Sequence, residues 1–269
     1  MHRTVVCIAV IFALSACGGG NTESSVRAPG AEETAKTKAL ETGAALLQDR
    51  PPVDAINAYL DGFHFYNGQM KVQMEAHHYC SILNEDVIQC TIYDGNVKDA
   101  KLMGVEYIIS EKLFAGLPEQ EKALWHSHVQ EVKSGQLIAP GIPELAEHEL
   151  MEKLIHTYGK TWHTWHTDLD KDLPRGMPQL MMGFTADGQA DPAMVAARDA
   201  RLGVSSEDKR QRRADIAAPP IDAGADAWQK GTVIQNEDPT CGHAHVGDKD
   251  ADPPSGRDRN ATSKGSSGR

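Results

Sequence analysis

The sequence predicts an α+β domain: a mainly antiparallel sheet with packed helices, set between disordered termini. Three observations carry that reading. Val72 to Tyr93 alternates apolar and polar residues at period two through a three-residue turn, Asn84-Glu85-Asp86, as a hairpin does. Pro143 to Tyr158 has helical spacing and a stop at Gly159, and Asp191-Pro192 starts another helix that runs through Arg201 to a stop at Gly203. From Asn236 the chain is rich in Gly, Asp, Pro and Ser, a composition with too little apolar surface to offset the entropy of ordering it.

Taken in order, residues 18–50 read as a tether with a helix over Ala31 to Leu47, closed by Pro51-Pro52. Val53 to Leu60 is a short helix or an extended lead-in, and Gly62-Phe63-His64-Phe65-Tyr66 carries the chain into the core. In the hairpin, Val72, Met74, Ala76, His78, Cys80 and Ile82 share one face. The turn sets Ile82 opposite Ile88 and Cys80 opposite Cys90, close enough for a cross-strand disulfide; two buried thiols that merely pack are the alternative. Leu102 to Ile109 is a third strand, followed by a Ser110-capped helix to Ala115 and a second helix from Pro118 towards Trp125. Val129 to Ile138, Trp162 to Thr167 and Gln179 to Phe184 are read as further strands. Ser205 or Ser206 caps a polar helix whose Arg210, Arg212 and Arg213 read as a solvated face. The domain plan is a signal peptide over 1–16, a lipidated tether over 17–52, a globular domain over 53–218 and a loosely structured tail over 219–269.

The N-terminus supplies an address. Arg3 and the apolar run Val5 to Leu14 form a signal segment too short to span a bilayer. Leu14-Ser15-Ala16-Cys17 resembles a bacterial lipobox, which implies cleavage before Cys17 and acylation of that cysteine, as by palmitate; an ordinary secretory signal cut near Ala16 is the alternative. Gly18 after the cysteine places the product, by analogy with proteobacterial lipoproteins, on the outer membrane facing the periplasm. The net charge of −11 excludes nucleic acid as a partner and excludes adhesion to an anionic bilayer by charge alone. Membrane contact therefore rests on the lipid.

The most site-like words are histidine-rich. Four of the chain's 12 histidines lie between Glu75 and Gly135. His126-Ser127-His128, with Glu131 close behind, puts two imidazoles on one side of an extended segment, where they converge on one ion of the zinc type. His77, His78, Glu75 and Glu106 lie on neighbouring expected strands and complete the shell. The competing reading is a structural histidine cluster at a helix end. His163 and His166 point to opposite faces of one strand and read as exposed histidines flanking an aromatic core. There is no Gly-x-Ser-x-Gly elbow, glycine-rich phosphate loop or His-Glu-x-x-His helix.

Six segments, FHFY (63–66), EAHHYCSILNEDVIQC (75–90), GVEYIISEKLF (104–114), LWHSHVQEVKSGQLIAPG (124–141), TYGKTWHTW (157–165) and PQLMMGFT (178–185), resemble the plant oil-body-associated protein family, which extends into fungi and bacteria as a domain of unknown function. The resemblance covers roughly 61–213. It implies lipid-droplet association for the plant members and supplies no catalytic residues. The expected function is a membrane-tethered envelope lipoprotein whose domain binds a lipid or an envelope protein, marked by an exposed apolar patch around Leu180-Met181-Met182. The alternative is a metal-dependent enzyme centred on His126 and His128.

Overall fold

The computed structural model describes residues 20–236. The signal segment, Cys17 and the distal tail lie outside the described residues. The strands are β1 (Ala58–Tyr66), β2 (Gln69–Ile82), β3 (Val87–Tyr93), β4 (Leu102–Ser110), β5 (His126–Ser127), β6 (Thr157–His163) and β7 (Gln179–Met182). The helices are α1 (Ala35–Leu47), α2 (Pro51–Asp54), α3 (Glu111–Ala115), α4 (Glu119–Lys122), α5 (Val129–Lys133), α6 (Glu144–Leu154), α7 (Pro192–Leu202) and α8 (Ser206–Arg212).

The α+β mixture is as expected, but the sheet is closed. The strand order is β4-β3-β2-β1-β7-β6-β5, and β4 pairs back onto β6, so that six antiparallel strands form a barrel. β5 and β7 share the other edge of β6. Closure pairs the outermost strands of the sheet with each other, and a barrel this small is filled by its own side chains. The β2–β3 hairpin has the register that its turn dictates, with Ile82 opposite Ile88 and Cys80 opposite Cys90. The two cysteine sulfurs are bonded.

Alternation decides what enters the barrel. At one end, Leu60, Cys80, Ile88, Cys90 and Ile108 meet Val132 of α5 and Met151 and Leu154 of α6. At the other end, Tyr66, Met74 and Met181 form one cluster, and Ala76, Ile92 and Met103 another. The inward positions between these apolar ends carry histidines and a glutamate. The outer face of β1 and β7 is also covered: Phe63, Phe65, Leu180, Met182 and Phe184 pack with Met194 and Val195 of α7 and with Trp228.

Several sequence expectations are corrected here. Leu180 and Met182 are fully buried under α7 and Met181 inside the barrel, so they form no exposed patch. The segment expected as a strand at 129–138 is α5, one helical turn closed by Gly135 at φ +74°, and only Ile138 then bridges to Asp61 of β1. α6 stops at Leu154 because Thr157 already belongs to β6, whose pairing with β4 takes the backbone groups a longer helix would use. Arg213 is buried, with Nη1 donating 2.8 Å to the Leu137 carbonyl and Nη2 3.2 Å from Glu147, so it is no solvated face. Residues 219–236, expected with the loose tail, pack on the barrel: Ala225, Asp226 and Ala227 are buried, and Trp228 meets Phe65 edge-on at 4.9 Å between centroids. Part of the tether docks as well, since Val26 is buried and Thr22 N donates 2.8 Å to Asn96 Oδ1. α1 buries none of its residues.

Candidate metal centre

Five of the seven expected ligands meet inside the barrel. His78 enters from β2 and Glu106 from β4; His126 comes from β5, His128 from the residue that starts α5, and Glu131 from α5 itself. Glu106 is the hub. Its Oε2 lies 3.0 Å from His78 Nε2, while its Oε1 lies 3.4 Å from both His126 Nε2 and His128 Nε2. Glu131 Oε2 is 3.8 Å from His128 Nε2. Each of these side chains is nearly or completely buried. A small cavity of about 10 Å³, room for about one water-sized atom, is lined by Glu106, Glu131, His64, His78 and His128 among others.

Two glycines let the side chains converge. A Cβ on Gly159 of β6 would collide with Glu106 Oε1 and come within 2.9 Å of His126 Nε2. One on Gly183 would stand 3.0 Å from His126 Cδ2 and 3.1 Å from Glu131 Oε1.

His77, like Glu75, is excluded from this centre. It follows the outward position of β2, because consecutive residues of a strand face opposite sides. Its Nδ1 lies 3.0 Å from Asp61 Oδ2 and 2.8 Å from Tyr59 Oη, and its Nε2 lies 3.3 Å from Glu75. The Arg198 guanidinium already holds Asp61 at 2.5 Å, and Arg201 holds Glu75. Two fixed cations there make a structural charge network that a metal ion would have to displace. Glu75 belongs to that network too.

Three participants, His64, His163 and Asp226, escape the sequence reading. His64 of β1 has its ring 4.9 Å from that of His78 and 5.9 Å from that of His126. His163 of β6, expected at the surface, is completely buried with its ring 5.6 Å from that of His64. His166 is buried as well, beyond the strand, where Nδ1 lies 3.2 Å from Tyr66 Oη. Asp226, from the supposed tail, accepts from the Ser127 amide at 3.3 Å and lies behind His126. The alternation of Phe63-His64-Phe65 could have flagged His64 once the outer face was known to be apolar.

Burial and the contacts of the histidines with Glu106 set the electrostatics of the centre. Burial would raise Glu106, but contact with His126, His128 and His78 outweighs it and holds the carboxyl well below the usual range. Burial pushes Glu131 up to about 7 and Asp226 up to about 6. Burial lowers His163 to about 3, and burial with repulsion from His78 takes His64 well below its ordinary value. Among the described residues, Nδ1 of His78, both ring nitrogens of His163 and Nδ1 of His64 and His126 are buried with no hydrogen-bond partner, while Nε2 of His78 and of His126 lie 3.0 and 3.4 Å from Glu106. A buried N–H left unpaired costs about 1–3 kcal/mol.

Comparison with known proteins gives the family and no mechanism. Residues 50–217 match the family described as protein of unknown function (DUF1264). Oil body-associated protein 1B of Arabidopsis thaliana is 44% identical over 75% of this chain and 83% of its own length. Oil body-associated protein 1A of Zea mays is 44% identical, covering 72% and 82% of the two chains, and protein 2A of Zea mays is 42% identical, covering 78% and 85%. No solved structure matches. These relatives correct the expected address: they are plant oil body-associated proteins, and none is a bacterial outer-membrane lipoprotein.

Proposed function

This chain belongs to the DUF1264 family that includes the plant oil body-associated proteins, and on that premise we propose that its barrel is a buried transition-metal centre in a protein that works at a lipid surface. One observation carries the metal. Thr157 has a single hydroxyl hydrogen, and it goes to the Leu154 carbonyl at 2.6 Å. Thr157 Oγ1 therefore accepts from His128 Nδ1–H at 2.7 Å, which fixes the tautomer. In the neutral ring the His128 Nε2 lone pair then faces the carboxylate oxygens of Glu106 and Glu131, and only a second proton on the ring turns its 3.4 Å contact with Glu106 Oε1 into a donated hydrogen bond. Acceptor against acceptor in a buried site is repulsive unless a cation lies between them. A metal-bound histidine held through its other nitrogen is the usual way such sites orient a ligand.

Imidazole and carboxylate together suit zinc, iron, cobalt or manganese better than calcium or magnesium, which prefer oxygen donors alone. The ion would serve as Lewis acid or activator of bound water, with Glu131 close enough to exchange a proton. The test is metal analysis of protein dialysed after exposure to zinc. Wild type retains zinc and the His126→Ala/His128→Ala double variant does not; zinc-free wild type with an unmoved melting temperature would remove this reading.

A second reading, in which the domain binds lipid or a partner protein without chemistry, is favoured by α1. That helix exposes Leu40, Leu46 and Leu47, and among the described residues nothing buries them. Acylation of Cys17 would add a covalent hold on the same surface. Flotation with phospholipid-coated triolein droplets tests it: replacing the three leucines by serine should abolish binding of unacylated protein, and labelled palmitate should enter wild type and spare Cys17→Ser.

A further inference from the structure

We propose that residues 164–178, the connection between β6 and β7, form a pH-sensitive strap on the barrel, latched by a protonated His166 through Tyr66 and Asp168. The count of protons carries this. Tyr66 Oη lies 2.7 Å from Asp168 Oδ1 and 3.2 Å from His166 Nδ1. An aspartate carboxylate only accepts, so the single hydroxyl hydrogen of Tyr66 goes to Asp168. His166 Nδ1 must then donate to the tyrosine oxygen. His166 Nε2 stands 3.1 Å from the Met177 carbonyl, another pure acceptor, and must donate as well. A ring that donates from both nitrogens is an imidazolium.

The surroundings suit that charge. Tyr66 and His166 are buried, with their rings 5.5 Å apart. Burial and the charge of Asp168 push the Tyr66 hydroxyl up, so it keeps its proton and stays a donor. Asp168 Oδ2 is buried with no hydrogen-bond partner among the described residues, and the imidazolium across the tyrosine oxygen balances it. Asp170 of the strap also faces Tyr66. His163 of β6, lowered to about 3, is neutral and sets no charge against the ring. Lys171 turns away to the Thr167 carbonyl at 2.7 Å and Ser25 Oγ at 3.1 Å.

The strap meets the barrel at Met103, a member of the apolar layer at the end away from α6. The amides of Thr164 and Trp165 donate to the Met103 carbonyl at 2.7 and 3.0 Å, and Thr167 Oγ1 lies 3.1 Å from Met103 Sδ. Further along, Leu169, Leu173 and Met177 are exposed, so little apolar burial holds that part down. His166 ties both parts together, since one nitrogen grips Tyr66 of β1 and the other the residue just before Pro178. Removing its proton turns one of those bonds into lone pair against lone pair. The strap is therefore held at low pH and released as pH rises. Loss of a hydrogen bond to a charged group shifts such an opening by about 10–100-fold.

The experiment takes the full chain labelled with ¹⁵N-histidine through about pH 5.5 to 8.5, recording ring-nitrogen spectra and amide hydrogen exchange over residues 164–178. The His166 signals, assigned by their loss in His166→Gln, should show a ring protonated at both nitrogens at the acid end and a neutral ring at the alkaline end. Strap opening, corrected for the chemical exchange rate, should rise about 10–100-fold across the range and stay level in His166→Gln. Asp168→Asn keeps the shape and removes the charge, so the ring and strap transitions should move to lower pH together. A neutral His166 at the acid end overturns the latch. Opening that ignores pH in wild type, or still follows it in His166→Gln, overturns the switch. Transitions that stay in place in Asp168→Asn overturn the role given to that carboxylate.

Discussion

At the scale of single residues, the centre depends on hydrogen-bond bookkeeping and on missing side chains. Thr157 contributes no ligand, yet its oxygen fixes which nitrogen of His128 is free. Thr157→Val keeps the shape and deletes the acceptor. Affinity for zinc should fall about 10–100-fold, the usual cost of losing such a supporting bond, as read by competition with a chromogenic chelator. The metal-free protein should lose only about 1–2 kcal/mol. Gly159 acts by absence. Gly159→Ala puts a methyl where Glu106 Oε1 now sits and against His126. Metal retention should be lost altogether, with about 1–3 kcal/mol of stability lost through overpacking, measured by urea unfolding in the presence of chelator.

At the scale of elements, α7 is fastened to the barrel through charge. Arg198 is completely buried, reaches Asp61 at 2.5 Å and the Gln136 carbonyl at 2.9 Å, and lies 4.7 Å over the Phe63 ring. Arg198→Ala would leave the buried Asp61 carboxylate with His77 alone beside it, so thermal or urea unfolding should show a loss of about 3–5 kcal/mol. Adding Asp61→Asn should recover part of it; no recovery would place the loss in packing over Phe63. The elements themselves differ in how far they could be read. The β2–β3 hairpin was legible because one face is buried and its turn is short, which fixes both alternation and register. The caps were legible too: Asp191 accepts from Ala193 N, and Ser205 from Asp208 N. β1 was not. Phe63 and Phe65 are buried under α7 while Leu60 and His64 are buried inside the barrel, so both faces are apolar or enclosed and alternation gives no sign. His163 was misread for a related reason. Its inward direction follows from pairing with Gly104 across β4, a contact far away in sequence. α5 was read as a strand because one helical turn carries too few residues to show a period.

At the scale of the whole molecule, barrel closure turns scattered histidines into a centre. His64, His78, Glu106 and His163 come from four strands, and they share one interior because β4 returns to β6. Apolar layers above and below then deny them water, and stability acquires a pH dependence with opposing parts. His163, lowered to about 3, contributes stability that is fully present above its unfolded value and is lost as pH falls from about 6.5 towards 3. Glu131, raised to about 7, works the other way: the fold holds its proton more tightly than the unfolded chain does. Its contribution is complete below about 4.5 and is lost as pH rises towards 7. The groups facing it are His128, Glu106, His78 and Asp226, so the penalty at high pH is that of a second carboxylate charged beside Glu106 without a cation to balance it. Glu131→Gln fixes the neutral form. In metal-free protein the variant should therefore gain on wild type as pH rises, by on the order of 2–3 kcal/mol between pH 4.5 and 8, measured by urea unfolding at both. Zinc should reverse the order at pH 8, because the ion needs the charged carboxylate that the variant lacks. A gap between the two proteins that stays constant with pH would mean that Glu131 keeps its charge inside the fold, and the cation would then have to be a proton on His128.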